Sequence, residues 1–182
     1  VRGRDLVASY KPASDWPYTP QVYWSAGAAT AVRDVLAEVS LLGSIQTDLL
    51  DTHPQIDVGS RLSAEAMLRI VPATGDDVHL ELLSDGEHSV EPTADGCVLW
   101  RLADCPFSYA EFVPASDFRR LSVQCRSVSI CETHWQLFAE FLEKGVIRRA
   151  RIHAAFLPRE NDVQLAANWC RVVEHRPLPL TT

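Results

Sequence analysis

The chain contains no Cys-x-x-Cys pair, no Gly-x-Gly-x-x-Gly stretch, no phosphate loop and no Gly-x-Ser-x-Gly elbow. Those absences argue against the common dinucleotide- and nucleotide-binding folds and against the usual serine-hydrolase nucleophile. Long apolar runs are missing too. Nothing approaches the roughly 18 apolar residues that a membrane-spanning helix needs, so no membrane partner is expected. No charged region followed by an apolar one opens the chain, so a secretion signal is not expected. Positive charge is scarce: 17 Lys and Arg against 24 Asp and Glu leave a net charge of −7. A nucleic-acid backbone would be repelled, so no nucleic-acid partner is expected.

Cysteine spacing is equally uninformative. Cys97, Cys105, Cys125, Cys131 and Cys170 are odd in number and form no Cys-x-x-Cys pair, so a disulfide framework is not expected. A reducing, cytoplasmic setting follows, with the thiols serving as small hydrophobes. Cys131 and His134 have Cys-x-x-His spacing, but the second half of a zinc site is missing.

What the chain does have is ordinary globular material. Its 182 residues are 47% hydrophobic and 23% charged, enough for one compact domain with a substantial core. Short alternating runs read as strands at 5–10, 20–25, 97–103, 107–113, 118–130 and 146–157. In the last, Ala150, Ile152, Ala154 and Phe156 share one face while Arg149, Arg151 and His153 share the other. The segment 133–145 reads as a helix, with Thr133 and Gln136 as a capping box, an apolar stripe through Trp135, Phe138, Phe141 and Leu142, and Gly145 as the stop. A second helix is expected over 161–175, ending before Pro177.

An internal echo bears on the architecture. Asp51-Thr52-His53-Pro54-Gln55 resembles Glu132-Thr133-His134-Trp135-Gln136, and two further fragments repeat in the same order. This predicts a duplicated unit of about 80 residues. The fold class expected is α+β: a mainly antiparallel sheet built from two related halves, with helices concentrated in the C-terminal half. The halves would be 1–84 and 97–182, joined by a turn-rich connector at 85–96, and 35–50 and 61–71 would be strands by analogy with the second half.

The candidate chemistry follows from the echo. Asp51, His53, Glu132 and His134 would meet near a pseudo-two-fold axis, where His53 and His134 could hold a divalent metal or serve as acid and base. The simpler reading is helix capping, which explains the acids, threonines and glutamines and leaves only the histidines over. No cofactor is predicted, and a divalent metal is the only candidate. Trp16, Tyr18 and Trp24 crowd the segment 14–24 and are the candidate interaction residues. Packing is favoured for this cluster over a patch that holds a partner or a sugar. Arg119, Arg120, Arg126, Arg148, Arg149 and Arg151 form a local basic strip or a solvated outer face.

The function expected is a non-enzymatic cytoplasmic protein-interaction or assembly protein that binds a protein partner or self-associates as a dimer. Two alternatives stand beside it. One is a metal-dependent or acid–base enzyme centred on the paired Asp/Glu-Thr-His motifs. The other is a small-ligand binder with a pocket between the halves.

Overall fold

A computed structural model describes residues 3–13, 15–28, 32–72, 78–83, 86–90, 96–127 and 130–177. In chain order the elements are β1 (Asp5–Ser9), β2 (Tyr18–Gly27), β3 (Ala37–Thr47), β4 (Ile56–Pro72), β5 (Val78–Leu82) and β6 (Gly86–Val90). There follow β7 (Gly96–Leu102), β8 (Phe107–Val113), β9 (Arg120–Ser127), β10 (Ile130–Leu137), β11 (Arg148–Pro158) and α1 (Asp162–Glu174). All pairings are antiparallel, and the strand order is β1-β2-β3-β11-β8-β7-β4-β10-β9-β6, with β5 on β4.

The α+β expectation is therefore corrected: the protein is mostly antiparallel sheet, with one helix near the C-terminus among the described residues. The sheet folds back on itself through β4. Its residues 56–63 pair with β10, while 64–70 pair with β7 and 68–72 with β5. A register shift between Ala64 and Ala66 marks the bend, as bulges do where strands turn corners. Two layers result, and their inner faces bury Met67, Val98, Trp100, Val113, Leu121, Val123, Trp135 and Ile152 together. Burying each such side chain stabilises by about 1.5–3 kcal/mol.

A second core lies on the opposite face of the β3-β11-β8-β7 layer, under α1. Ala166, Ala167, Trp169, Cys170 and Val173 form the helix's buried stripe and pack on Leu99, Ala110, Phe112, Ala155 and Leu157. That is why β11 is buried on both faces, although its sequence alternates. Asp162 opens the helix and is fixed by the forked Arg101 guanidinium at 2.9 and 3.0 Å and by the Ser108 hydroxyl at 2.7 Å. The expected helix over 161–175 is thus present.

The expected helix over 133–145 is not. Cys131, Thr133, Trp135 and Leu137 are buried at strand period, and every residue of β10 pairs with β4. The apolar stripe that mimicked a helix is divided: Trp135 belongs to β10, while Phe138 takes φ 58 and turns the chain out of the strand. Neither threonine caps a helix. Thr52 Oγ1 donates to the Leu142 carbonyl at 2.8 Å, and Thr133 Oγ1 donates to Glu111 at 2.8 Å.

The pairing does not repeat between the halves. β1, β2 and β3 form a meander, whereas β8 pairs with β7 and with β11, and β9 lies in the other layer. The echoed motifs also differ in structure: 51–55 is a connection between β3 and β4, and 132–136 lies within β10. The duplication thus finds no support. The cysteine reading is corrected as well, because Cys125 and Cys131 face each other across β9 and β10 and are joined by a disulfide. Spacing along the chain hid a pair that strand register creates. Among the described residues no helix is long and apolar enough to cross a membrane.

Candidate functional site

The alternation of Phe107-Ser108-Tyr109-Ala110-Glu111-Phe112-Val113 sends two kinds of side chain to opposite faces of β8. Ser108, Ala110 and Phe112 turn toward α1, while Tyr109 and Glu111 turn inward between the layers. Glu111 is 2% exposed. A buried carboxylate needs donors, and β10 supplies them from across the interior. Thr133 Oγ1 donates at 2.8 Å and Trp135 Nε1 at 3.1 Å, both to Glu111 Oε2. The Thr133 hydroxyl oxygen in turn accepts from the Ser60 backbone N–H at 3.3 Å. Beside this pair sits Tyr109, whose ring packs on Phe156 with centroids 5.2 Å apart. Burial first, then the Glu111 charge, raises the Tyr109 hydroxyl well above the usual tyrosine range, against an opposing hydrogen bond with Ser60. Tyr109 therefore keeps its proton at neutral pH and serves as a donor.

Glu111 and Tyr109 close one end of a cleft where the two layers part. The inner part, about 90 Å³, is bounded by Trp24, Leu41, Ser60, Trp135, Ile152 and the Tyr109–Glu111 pair. A wider part, about 330 Å³, continues outward past Tyr10, Val22, Ile56, Leu137 and Phe138. Trp24, Leu41, Val58 and Gly59 border both parts. One wall is β4, held tight against β10 because Gly59 has no side chain: a Cβ there would collide with the Thr133 carbonyl. The cleft is thus mostly apolar and aromatic, with Ser60, Tyr109 and Glu111 at the inner end and Gln21, Ser44 and Asp57 among the lining of the wider part, the usual make-up of a small-molecule site.

The residues singled out from the sequence are distributed unevenly around this cleft. Trp24 lines it and is 41% exposed. Trp16 and Tyr18 do not line it. Their rings meet edge to face at 5.3 Å, and Tyr18 packs with Ile45 and Leu142 as framework. Asp51 and His53 form an exposed pair at 3.9 Å on the β3–β4 connection, with the His53 ring against Phe141. Glu132 and His134 sit 3.5 Å apart on β10, alternating with the buried Thr133 and Trp135, and Glu132 also pairs with Arg61 at 3.2 Å. The four are not gathered into one group. Among the described residues no three His, Cys, Asp or Glu side chains come together in a way that could hold a metal. Cys131, the other zinc candidate, is bonded to Cys125. Arg151 is turned to Asp117 at 2.7 Å, and Arg119 and Arg148 share Glu140, so these arginines are paired.

Sequence reasoning missed Glu111 and Tyr109. The available signal was an acid on the same strand face as Tyr109 and Val113, a position that strand period makes inward-facing.

No family model matches the chain, and no curated protein matches it either. Among solved structures the chain is similar to a protein from Klebsiella pneumoniae subsp. pneumoniae MGH 78578 that is provisionally classed as an aldose 1-epimerase. The TM-score is 0.53 at 9% identity, over 97% of this chain and 57% of that one. A protein of the same provisional class from Escherichia coli K12 gives a TM-score of 0.47 at 6% identity, over 85% and 65% of the two chains. The chain therefore spans little more than half the length of the first of these.

The first likeness establishes the fold alone: a β-sandwich similar to that of this provisionally classed epimerase. It corrects the expectation of a non-enzymatic protein-interaction or assembly protein. That expectation rested on missing motifs, and a solved structure of similar fold is provisionally classed as an enzyme. The four residues of the alternative centred on paired acid–His motifs form no metal-holding group among the described residues, and the pairing does not repeat between the halves.

Proposed function

We propose that the protein is a carbohydrate-processing enzyme that binds a sugar in the cleft and interconverts its anomers at the Tyr109–Glu111 end. The observation that carries this reading is a buried carboxylate and a protonated tyrosine closing a mostly apolar, aromatic cleft. Sugars offer both surfaces. Their C–H faces lie on aromatic rings such as Trp24, and their hydroxyls need a few fixed polar partners.

The chemistry balances within the pair. Glu111 takes the proton of the C1 hydroxyl as the C1=O bond forms and the C1–O5 bond breaks. Tyr109 gives its proton to O5 and recovers one from Glu111, whose charge already acts on it. Rotation about C1–C2 presents the other aldehyde face, and the reverse steps close the ring. The raised proton affinity of Tyr109 favours the recovery.

The test is the rate at which a freshly dissolved α-aldose reaches anomeric equilibrium, followed by NMR with glucose and galactose. The protein is expected to accelerate it, Glu111→Gln to abolish the acceleration, and Trp24→Ala to raise KM. No acceleration for any aldose, together with no sugar-dependent change in tryptophan fluorescence, would overturn the reading.

A further inference from the structure

The cleft is larger than its polar end requires. The inner part meets Glu111 and Tyr109, and the outer part is wider and shares Trp24, Leu41, Val58 and Gly59 with it. Its lining is mostly apolar, with Val22 and Leu41 from one layer, Ile56, Val58 and Leu137 from the other, and the rings of Tyr10 and Phe138, and it also includes Gln21, Ser44 and Asp57. Two residues shape that space. Gly43 stands on β3 between Leu41 and Ile45, where a Cβ would meet nothing nearer than the Phe138 ring at 3.8 Å. Its φ lies outside the left-handed region, so the backbone does not demand glycine there. Phe138 does adopt the left-handed region, at φ 58, which is uncommon for a bulky residue. That conformation brings its ring to the outer part of the cleft, beneath Gly43.

Building on the sugar reading above, we infer that the outer part is a second sugar subsite, so that the substrate is a reducing disaccharide or longer oligosaccharide. The reducing-end ring occupies the inner part with its free C1 at Glu111. The next ring lies over Trp24 and Tyr10. Exposure selects this occupant over an alkyl or acyl chain. Trp24 is 41% exposed and Tyr10 is 55% exposed, so whatever lies on them keeps its other face in water. A sugar ring tolerates that arrangement, with C–H groups toward the rings and hydroxyls toward solvent, whereas a hydrocarbon chain gains little from a half-open trough.

The experiment compares fluorescence titrations of glucose, galactose, maltose, cellobiose and lactose on the wild type, Gly43→Val and Gly43→Ala. At least one disaccharide is expected to bind about ten-fold or more tightly than its monosaccharide units. Gly43→Val is expected to remove that advantage while leaving monosaccharide affinity within about two-fold, and Gly43→Ala to remove part of it. The smaller substitution fits without displacing a neighbour, so it stays informative if the valine variant fails to fold. Monosaccharide binding with no disaccharide advantage, or an advantage that Gly43→Val leaves intact, would overturn the second subsite alone. Absence of binding for every sugar would instead remove the sugar reading on which it stands.

Discussion

Trp135 Nε1 donates to Glu111 Oε2 at 3.1 Å, although β10 and β8 are not neighbours in the sheet. The bond crosses the space between the two layers, and Thr133 doubles it from two residues away. One carboxylate thus ties the layers together at the point where the cleft begins.

Removing that carboxylate strands two donors. Glu111→Ala is expected to lower unfolding free energy by about 2–4 kcal/mol, because a buried unpaired donor costs about 1–3 kcal/mol. Glu111→Gln keeps an acceptor oxygen and is expected to cost less than half as much. Urea denaturation of the two variants checks the order, and equal losses would contradict the cross-layer role.

His153 makes stability depend on acid. Its Nδ1 lies 2.9 Å from Ser40 Oγ, and Nε2 is buried with no partner among the described residues. Burial, then the charges of Arg176 and Arg151, lower its pKa from 6.5 to about 4, against the opposing charges of Glu38 and Asp117. The unfolded chain therefore binds a proton that the folded one refuses between pH 6.5 and 4. Stability is expected to fall as pH falls through that window, by up to about 3 kcal/mol at its foot. Thermal melts of His153→Gln should show a flatter profile over the same range.

Asp162 anchors α1. Burial opposes its ionisation, but the hydrogen bonds from Arg101 and Ser108 outweigh it and hold the carboxyl below its ordinary range. Asp162→Ala is expected to cost about 2–4 kcal/mol, since Arg101 loses its partner at the edge of a core. Hydrogen exchange should accelerate first in α1. Protection lost evenly across the sheet would argue against a local anchor.

Gly59→Ala tests the wall of the cleft. A methyl group there would push β4 away from the Thr133 carbonyl, so a loss of about 1–3 kcal/mol is expected. A sugar titration should weaken in parallel, because Gly59 borders both parts of the cleft.

Local pattern carried β8 and β11 well, since their alternating residues match the strand period and few competing spacings exist. It failed at 133–145, where Trp135, Phe138, Phe141 and Leu142 have helical spacing but Trp135 is claimed by a strand ladder with β4 and β9. Register with distant partners decided that segment, and no short window contains it. The same limit hid the Cys125–Cys131 bond and the donors of Glu111, which come from residues 22 and 24 positions later. Trp24 was legible as one face of a strand whose other face is Tyr23, but which face met a cleft depended on how β4 folds the sheet over.

The pairing of β3 with β11 has a consequence for how the chain is made. β1, β2 and β3 can assemble as soon as they are synthesised, yet the free edge of β3 waits for Arg148–Phe156. At about 5–20 residues per second, roughly 100 intervening residues take on the order of 5–20 s. During that interval the nascent protein carries an open strand edge with Leu41 and Leu42 beside it. Among the described residues, the last strand to emerge is the one that closes the middle of the sheet.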